Sequence, residues 1–167
     1  MNTHQLMCLA TSCPDIGSNF LGVFASDKLP KTIRTPSSLI ANLDRSEDTG
    51  SHWVALFFPN DGLAEYMDSY GFAPSTPFRE ILGSTFRCNK TFLQSPFSAV
   101  CGQYCLYFLM QRNRLSSMNS VLSVFKDDDQ FYNDVLVNRY IERHFSVDLN
   151  LFDHKWQAQQ ICDAFAL

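Results

Sequence analysis

The sequence predicts an α+β fold in one domain that spans residues 1–167. Short apolar runs typical of strands come first, within residues 18–70, and helical patterns dominate the last third of the chain. Between the two, an apolar helix is predicted to begin at Cys101. Strands followed by helices in chain order are typical of α+β domains. A length of 167 residues is enough for one hydrophobic core and short for two.

The strand predictions come from the first half of the chain. Residues 18–24 form a short apolar segment, and residues 38–43 have the composition of a buried strand. Residues 53–58 are almost continuously apolar and end at Pro59-Asn60-Asp61-Gly62, a strong turn signal. Residues 63–67 are then predicted to return alongside them, which makes a hairpin.

The helix predictions come mainly from the second half. The acidic run Asp127-Asp128-Asp129 supplies the N-cap and the first-turn charges that favour the start of a helix. Apolar residues then recur at helical spacing: Phe131, Val135, Leu136, Tyr140 and Ile141. This helix is predicted to end at about His144, and residues 155–165 to form a further one. Residues 116–124 fit no single pattern.

The composition indicates a globular chain. Hydrophobic residues make up 46% of it, with 15 Phe, and charged residues make up 18%. No apolar run reaches the length of about 18 residues that a membrane span needs, and the first residues lack the features of a signal peptide. We therefore expect an intracellular, reducing location. The net charge of -4 argues against a broad nucleic-acid surface.

The six cysteines are not expected to form a disulfide framework or a metal site. Nothing in the sequence points to secretion, and a chain of this length does not need disulfides for stability. Cys101 and Cys105 would share a helix face, but no CxxC pair and no nearby CxxxH motif completes a tetrahedral ligand set. No metal and no cofactor are therefore expected.

Cys101 is the candidate nucleophile. It lies at the predicted start of the apolar helix, where the positive end of the helix dipole favours a thiolate over a thiol. The thiolate is the nucleophilic form of cysteine and can attack a carbonyl group. Cys105 lies one turn further into the helix, where a core position is expected.

The predicted hairpin supplies a candidate base and an acid that orients it. With the turn centred between Asn60 and Asp61, the numbers of paired residues should sum to about 120 or 121, which places His52 opposite Asp68. Directly opposed Cβ atoms in an antiparallel pair are about 4.5–5.5 Å apart. At that range Asp68 can accept a hydrogen bond from one imidazole nitrogen and leave the other nitrogen to act as a base.

Gln94, seven residues before Cys101, is the candidate oxyanion donor. The intervening segment Ser95-Pro96-Phe97-Ser98 is expected to turn, so that Gln94 folds back toward Cys101. A side-chain amide and the backbone N–H of the nucleophile can together bind the oxygen that gains charge during acyl transfer.

Each of these residues also has an ordinary structural explanation. His52 could open a surface strand, Asp68 could begin a turn, and Gln94 could be a solvated loop residue. The joint pattern of a cross-strand His and Asp, followed by a Gln and a Cys at a helix start, favours catalysis. The remaining histidines are expected elsewhere: His4 at a frayed end, and His144 and His154 at exposed or C-terminal helix positions.

These residues, in this order, resemble those of adenain, the adenovirus-type cysteine protease, whose clan also contains the SUMO-specific proteases. The likeness covers about residues 18–111 and lies in segments 19–24 and 39–42, His52-Trp53, Asp68-Ser69-Tyr70-Gly71, Gln94 and Cys101-Gly102. The Gln-Ser-Pro link before Cys101 is closer to adenain. An aspartate as the acid matches the SUMO proteases and replaces the usual glutamate of adenain. Related proteases occur in other DNA viruses and in Polinton-type transposons.

The resemblance implies a papain-like, adenain-like fold with a mixed, mostly antiparallel sheet, a central helix that carries the nucleophile, and further C-terminal helices. It implies that Cys101 is the nucleophile, His52 the base and acid, and Asp68 the residue that orients His52. Gln94 and the Cys101 N–H would form the oxyanion hole. The implied function is a cysteine endopeptidase that cleaves Gly-containing sites in structural precursor proteins of a virus or virus-like transposon. Removal of a ubiquitin-like or SUMO-type modifier, and a catalytically inactive binding module of the same fold, remain as alternatives.

The resemblance also implies partners and a location. Adenain is activated by DNA and by a viral peptide that is disulfide-linked to a cysteine upstream of the nucleophile. Here Cys88, thirteen residues before Cys101, is the candidate for that link. The negative net charge argues against activation by DNA. The expected protein is a monomer that acts on precursor proteins in the nucleus or cytoplasm of the host cell and in the virion, without a membrane partner.

Overall fold

A computed structural model describes residues 1–114 and 117–146. A short 3₁₀ turn, Ser26–Lys28, follows the first strand. In chain order the other elements are α1 (Thr3–Ser12), β1 (Phe20–Phe24), β2 (Ser37–Asn42), β3 (Trp53–Phe58), β4 (Ala64–Met67), α2 (Thr76–Leu82), β5 (Phe86–Cys88), α3 (Cys101–Arg114), α4 (Met118–Leu122) and α5 (Gln130–Phe145). The helix predicted at residues 155–165 lies outside the described residues.

Within the described ranges, the strands form one mixed sheet in the order β1-β2-β3-β4-β5. The central pairings, β2 with β3 and β3 with β4, are antiparallel. The outer strands β1 and β5 each pair in parallel with their neighbours. The bounds of β3 are those of the predicted apolar run, and the hairpin that follows is present. The α+β class with a mixed sheet and a helix beginning at Cys101 is confirmed.

Helices cover both faces of the sheet. Ile40, Ala55 and Phe57 share a core with side chains of α1, α3 and α5, whereas Leu39 and Leu56 share a second core with α2. Both faces of β2 and β3 are therefore buried. A strand that is buried on both faces does not need polar residues at alternate positions, which explains the continuous apolar runs. In the described part of the chain, no helix has the length and hydrophobicity needed to cross a bilayer.

The first residues form a helix, and the expectation of a frayed end around His4 is wrong. A capping box stabilises the start of α1: Gln5 N–H donates to Asn2 Oδ1 at 2.9 Å, and Asn2 N–H donates to Gln5 Oε1 at 2.7 Å. Leu6 and Leu9 are fully buried. Packing against the core thus stabilises a helix whose sequence carries only a weak amphipathic signal.

The helix α5 is confirmed, with Asp129 as its N-cap, and its buried face overlaps the predicted one in part. Asp129 accepts a hydrogen bond from the Tyr132 N–H at 2.9 Å. Phe131, expected on the apolar face, is 60% exposed. The residues that α5 buries are Asn133, Asp134, Val137, Asn138 and Ile141. Leu136, Tyr140 and Ile141 of the predicted face do pack against the core, but three of the buried residues are polar, and apolar periodicity could not indicate those. The ambiguous segment 116–124 contains α4.

A buried ion pair joins the hairpin to α3. Arg112 Nε donates to Glu65 Oε2 at 2.6 Å and Arg112 Nη2 donates to Glu65 Oε1 at 3.2 Å. The guanidinium also lies over the ring of Phe57, 4.4 Å from its centroid. Both charged residues are less than a tenth exposed. The pair fixes β4, which precedes Asp68, against the helix that begins with Cys101.

The Arg112→Met substitution is expected to lower the free energy of unfolding by about 3–5 kcal/mol, because it leaves the Glu65 carboxylate buried without its counter-charge. The double variant Glu65→Met/Arg112→Met should recover part of this loss. Denaturant unfolding measures both. The matched control is Arg45→Met, which breaks the exposed pair of Arg45 and Glu47 and should cost less than about 1 kcal/mol. Equal costs for Arg112→Met and Arg45→Met would contradict the prediction.

Candidate active site

His52 and Asp68 form a buried hydrogen-bonded pair. His52 directly precedes β3 and Asp68 directly follows β4, so both lie at the same end of the hairpin. His52 Nε2 lies 2.8 Å from Asp68 Oδ1. The two residues are 7% and 0% exposed, so water hardly screens the interaction between them.

The register of the hairpin differs from both expected sums, 120 and 121, and is shifted by two residues from the pairing of His52 with Asp68. The observed pairs are Ala55 with Met67, Leu56 with Tyr66, and Phe57 with Glu65. Their numbers sum to 122, and continuing this register sets Tyr70 opposite His52 and Asp68 on the diagonal. A shift of two residues keeps every side chain on its face of the sheet. A diagonal neighbour is still within reach of an imidazole ring, so the predicted contact forms in a register that was not predicted.

Tyr70 covers the imidazole of His52. The two rings stack with their centroids 4.7 Å apart and their planes at 23°. Tyr70 stacks in turn on Phe92, with the centroids 5.2 Å apart. This cover lowers the local dielectric around the His52–Asp68 hydrogen bond and so strengthens it. The sequence suggested no role for Tyr70 beyond its place in the adenain-like motif.

Asn89, which no sequence signal singled out, holds the backbone of Asp68. Asp68 N–H donates to Asn89 Oδ1 at 2.9 Å, and Asn89 Nδ2 donates to the Asp68 carbonyl at 2.6 Å. Tyr70 N–H donates to Asp68 Oδ1 at 2.8 Å. Gly71 closes the turn with a φ of 71°, and a Cβ there would lie 2.7 Å from the Thr91 carbonyl oxygen, so only glycine fits.

Cys101 is the first residue of α3, as expected from the sequence. The His52 side chain and the Trp53 backbone N–H lie close enough to the sulfur to lower the pKa of Cys101. Asp68 Oδ1 engages His52 Nε2, which leaves Nδ1 for the thiol. Asp68, His52 and Cys101 therefore lie in series.

The environment favours the charged forms of both members of the Cys101–His52 pair. Burial by itself lowers the pKa of His52, but the hydrogen bonds to Asp68 and Cys101 and their negative charges outweigh it and raise the pKa to about 9. Burial raises the pKa of Cys101, yet the hydrogen bond and charge of His52 and the Trp53 N–H lower it below the ordinary thiol value. A thiolate–imidazolium pair is the form that this arrangement stabilises.

Gln94 is buried, and hydrogen bonds at both the oxygen and the nitrogen of its side-chain amide fix the orientation of that amide. Ser69 Oγ donates to Gln94 Oε1 at 2.7 Å, and Gln94 Nε2 donates to the Ser98 carbonyl at 3.0 Å. The amide nitrogen carries two hydrogens, so one remains for a further acceptor. The backbone N–H of Gln94 donates to the Ser69 carbonyl at 3.0 Å. Gln94 is thereby tied to the residue that follows Asp68.

Asp134 on α5 holds the loop that leads from Gln94 to Cys101, and no sequence signal indicated this. Its carboxylate accepts the Ser95 N–H at 3.2 Å and the Tyr104 hydroxyl at 3.0 Å. Tyr104 lies one turn into α3 and also donates to the Leu93 carbonyl at 3.0 Å. Asp134 is 1% exposed. An acidic residue in a helix is ordinarily expected on the solvent face, which is why the sequence pattern missed it.

A cleft of about 320 Å³ borders Cys101. Its walls come from the first three residues, from Phe24 and Ala25, and from positions between Asn42 and Trp53. The Trp53 indole N–H donates to the Met1 carbonyl at 3.0 Å. The N-terminal end of α1 is therefore part of the wall of the cleft, although the sequence predicted no ordered element there.

The other predicted positions lie apart from the His52–Asp68–Cys101 chain. Cys88 is half-buried at the end of β5 and lines a separate groove. Cys105 is a core residue, as expected, and burial raises its pKa well above the ordinary value. His144 lies in the last turn of α5, as expected. His154 and Cys162 lie outside the described residues.

Comparisons with known proteins identify the fold. No family model matches the chain, and no curated protein matches it. The solved structure of the ASFV pS273R protease matches with a TM-score of 0.53 at 17% identity, covering 79% of this chain and 64% of that one. A Se-Met structure of the same protease matches with a TM-score of 0.44 at 25% identity, covering 60% of this chain and 44% of that one. The chain has a protease fold. It spans less than two thirds of the length of the protease chains that it matches.

Proposed function

We propose that this protein is a cysteine endopeptidase that cleaves Gly-containing sites in structural precursor proteins of a virus or a virus-like transposon. The observation that carries the proposal is the buried chain from Asp68 through His52 to Cys101. The protease fold of the matched structure supports it. The substrate class rests on the adenain-like order of His52, Asp68, Gln94 and Cys101.

The chemistry follows from the positions of the atoms. The Cys101 thiolate attacks the carbonyl carbon of the scissile peptide, and the charge that develops on oxygen is bound by the Cys101 N–H and the free amide hydrogen of Gln94. The C–N bond breaks as His52 Nδ1–H gives its proton to the leaving amine. His52, now neutral, removes a proton from a water molecule that attacks the thioester and releases the acid. Asp68 keeps the imidazole oriented and stabilises its charged form throughout.

The experiment compares two substrate classes with the purified protein. One class is a panel of peptides with Gly-Gly and Gly-X sites, each paired with a version in which the Gly before the scissile bond is Val. The other is a set of ubiquitin-like and SUMO adducts. We expect cleavage of the Gly peptides and loss of cleavage on Gly→Val. Cleavage of the adducts alone would assign the deconjugating activity instead.

A thiol-reactive probe separates an enzyme from an inactive binding module of the same fold. We expect Cys101 to be labelled faster than Cys8, a half-buried thiol on α1 that serves as the internal reference. Labelling of Cys101 no faster than Cys8, together with no cleavage in either substrate panel, would favour the binding module.

The rate of cleavage is expected to fall at high pH near 9. The imidazolium of His52 is the proton donor, and it loses its proton as the pH rises through its raised pKa of about 9. The lowered pKa of Cys101 keeps the thiolate populated below the ordinary thiol range. The pH profile of kcat/KM reports the titration of this coupled pair in the free enzyme. An alkaline limb near pH 6.5, the ordinary value for histidine, would contradict the prediction.

The Asp134→Ala substitution is expected to lower kcat by roughly tenfold, part of the 100- to 1000-fold that an oxyanion donor supplies. Without the carboxylate, the Ser95 N–H loses its acceptor and the Tyr104 hydroxyl keeps only the Leu93 carbonyl, so the loop that carries Gln94 loosens. The measurements are kcat, KM and the alkylation rate of Cys101, which should not change because Asp134 does not contact the thiol. The control is Asp128→Ala, at an exposed position. A parallel fall in the alkylation rate would indicate general unfolding instead.

We also propose that an activating peptide binds beside Cys88, as the resemblance to adenain implies. Cys88 ends the outer strand β5 and lines a groove of about 560 Å³ with Phe86, Met118 and Leu122. The next residue, Asn89, holds the backbone of Asp68, so a peptide on this edge would act close to the acid. Cysteine-containing peptides from the precursor proteins, presented as mixed disulfides, should stimulate the wild type and Cys8→Ser but not Cys88→Ser. Equal stimulation of all three would overturn this proposal and leave the catalytic one intact.

A further inference from the structure

The C-terminal ends of three helices meet at a cluster of polar residues away from the cleft. Cys13 is the C-cap residue of α1, Asp15 follows it, and His144 lies in the last turn of α5. Arg114 is the last residue of α3 and forms an ion pair with Asp15 Oδ2. None of these residues lines the cleft beside Cys101. The cluster brings together positions 131 residues apart in sequence, so no local motif could reveal it.

Three ligand atoms of the kinds that bind zinc converge here. Cys13 Sγ lies 3.5 Å from His144 Nε2, and His144 Nε2 lies 3.8 Å from Asp15 Oδ2. The ligand atoms of all three residues lie within 4.8 Å of one another. In a tetrahedral site with Zn–S of about 2.3 Å and Zn–N or Zn–O of about 2.0–2.1 Å, neighbouring ligand atoms are about 3.4–3.6 Å apart. The sulfur–nitrogen separation already fits, and the Asp15 carboxylate would have to move closer to both other ligands.

Groups around the three proposed ligand residues contact them, as the residues behind the ligands do in known metal sites. Burial raises the pKa of Cys13, and the nearby backbone N–H groups of Ile16 and Asp15 offset part of that rise. The His144 ring packs edge-on against Phe145, with the centroids 4.9 Å apart. Arg114 Nη1 donates to the Tyr140 hydroxyl at 3.1 Å. The positions of the sulfur and the imidazole are therefore set by the fold.

The charges in the cluster are compatible with a divalent cation. A Cys13 thiolate and the Asp15 carboxylate together carry two negative charges, and a neutral His144 adds none. Arg114 neutralises only one of them. Its bond to Asp15 uses one of about four lone-pair positions of the carboxylate, so oxygen lone pairs remain for a metal. The helix C-termini that meet here also favour positive charge.

We propose that Cys13, Asp15 and His144 bind one zinc ion, with a water molecule as the fourth ligand. Binding displaces the thiol proton of Cys13 to solvent. The ion joins the C-terminal end of α1 to the C-terminal end of α5. Because the opposite end of α1 forms part of the cleft wall, zinc stabilises the element that borders the Cys101 site.

The experiment measures zinc binding by the full chain carrying Cys101→Ala, which removes the catalytic thiol as a competing ligand. A competition titration against a chromogenic chelator should show one zinc per chain. The melting temperature should rise by about 5–10 °C at a zinc concentration 100-fold above the dissociation constant. Cobalt bound in place of zinc should show thiolate-to-metal charge-transfer absorption that disappears in the Cys13→Ser background.

Variants in the Cys101→Ala background locate the site. Cys13→Ser and His144→Gln should each weaken zinc binding by at least tenfold, and Asp15→Asn should weaken it as well. The matched control is Cys8→Ser, because Cys8 Sγ lies 3.6 Å from His4 Nε2, and no described carboxylate completes a three-ligand group with them. Cys162→Ser and His154→Gln test the ligands outside the described residues.

The outcomes divide clearly. Loss of binding in Cys13→Ser and His144→Gln, with binding retained in Cys8→Ser, Cys162→Ser and His154→Gln, supports the site. Absence of stoichiometric zinc binding, or binding unaffected by both Cys13→Ser and His144→Gln, overturns it. The melting temperature of each metal-free variant shows that it is folded. Since no cleavage is measured, the outcome is independent of the proposed protease activity.

Discussion

Replacing Cys101 by alanine is expected to abolish peptide cleavage and leave the fold intact. Within residues 1–114 and 117–146, the Cys101 sulfur is the nucleophilic atom that neighbours the His52 imidazole. Without it, the thioester route does not exist, and His52 and Asp68 have no group to activate. The thiol is half-buried, and its removal costs little packing. The measurements are steady-state cleavage of the Gly peptides and the unfolding midpoint.

Cys105→Ala is the matched control for Cys101→Ala. Cys105 lies one turn further along α3 and is a buried core thiol with a raised pKa. Its truncation should reduce stability modestly and leave the cleavage rate per folded molecule unchanged. Retained cleavage in Cys101→Ala, or its loss in Cys105→Ala at normal stability, would refute the assignment of the nucleophile.

Replacing Asp68 by asparagine is expected to lower kcat/KM by about two to four orders of magnitude. The change is nearly isosteric, and Asn89 holds Asp68 through its backbone, so the position of the side chain should be retained. What is lost is the negative charge that stabilises the His52 imidazolium. The pKa of His52 should therefore fall, and the alkaline limb of the pH profile should move below pH 9. Cleavage rates measured from pH 6 to 10 test both effects.

Asp61→Asn is the control for Asp68→Asn. Asp61 is exposed in the hairpin turn, so the same chemical change there should alter neither the rate nor the pH profile. If Asp68→Asn lowered the rate without moving the alkaline limb, Asp68 would act through structure and not through its charge. An unchanged rate would remove Asp68 from the mechanism.

The strands near the site could be predicted because their composition reflects burial on both faces. The run from Trp53 to Phe58 is apolar throughout, and a strong turn signal ends it. The start of α3 at Cys101 could be predicted for the same reason. These are local properties, and a short stretch of sequence contains them in full.

The register of the hairpin could not be predicted from the local sequence. The turn between β3 and β4 is long enough for more than one pairing, and the observed register is shifted by two residues from the pairing of His52 with Asp68. The contact between His52 and Asp68 still forms, because a shift by an even number of residues leaves each side chain on the same face of the sheet. An odd shift would have separated the two side chains.

The sequence by itself determined the α+β class, the order of the strands and helices around the site, and the identity of Cys101, His52, Asp68 and Gln94 as candidates. Only the tertiary structure decided that α1 borders the cleft, that Asn89 and Asp134 hold the site, and that Cys13 meets His144. The reason is that a polar residue in a helix or loop looks solvent-exposed until its distant partner is known. Burial of a polar group depends on a hydrogen bond that long-range packing alone supplies.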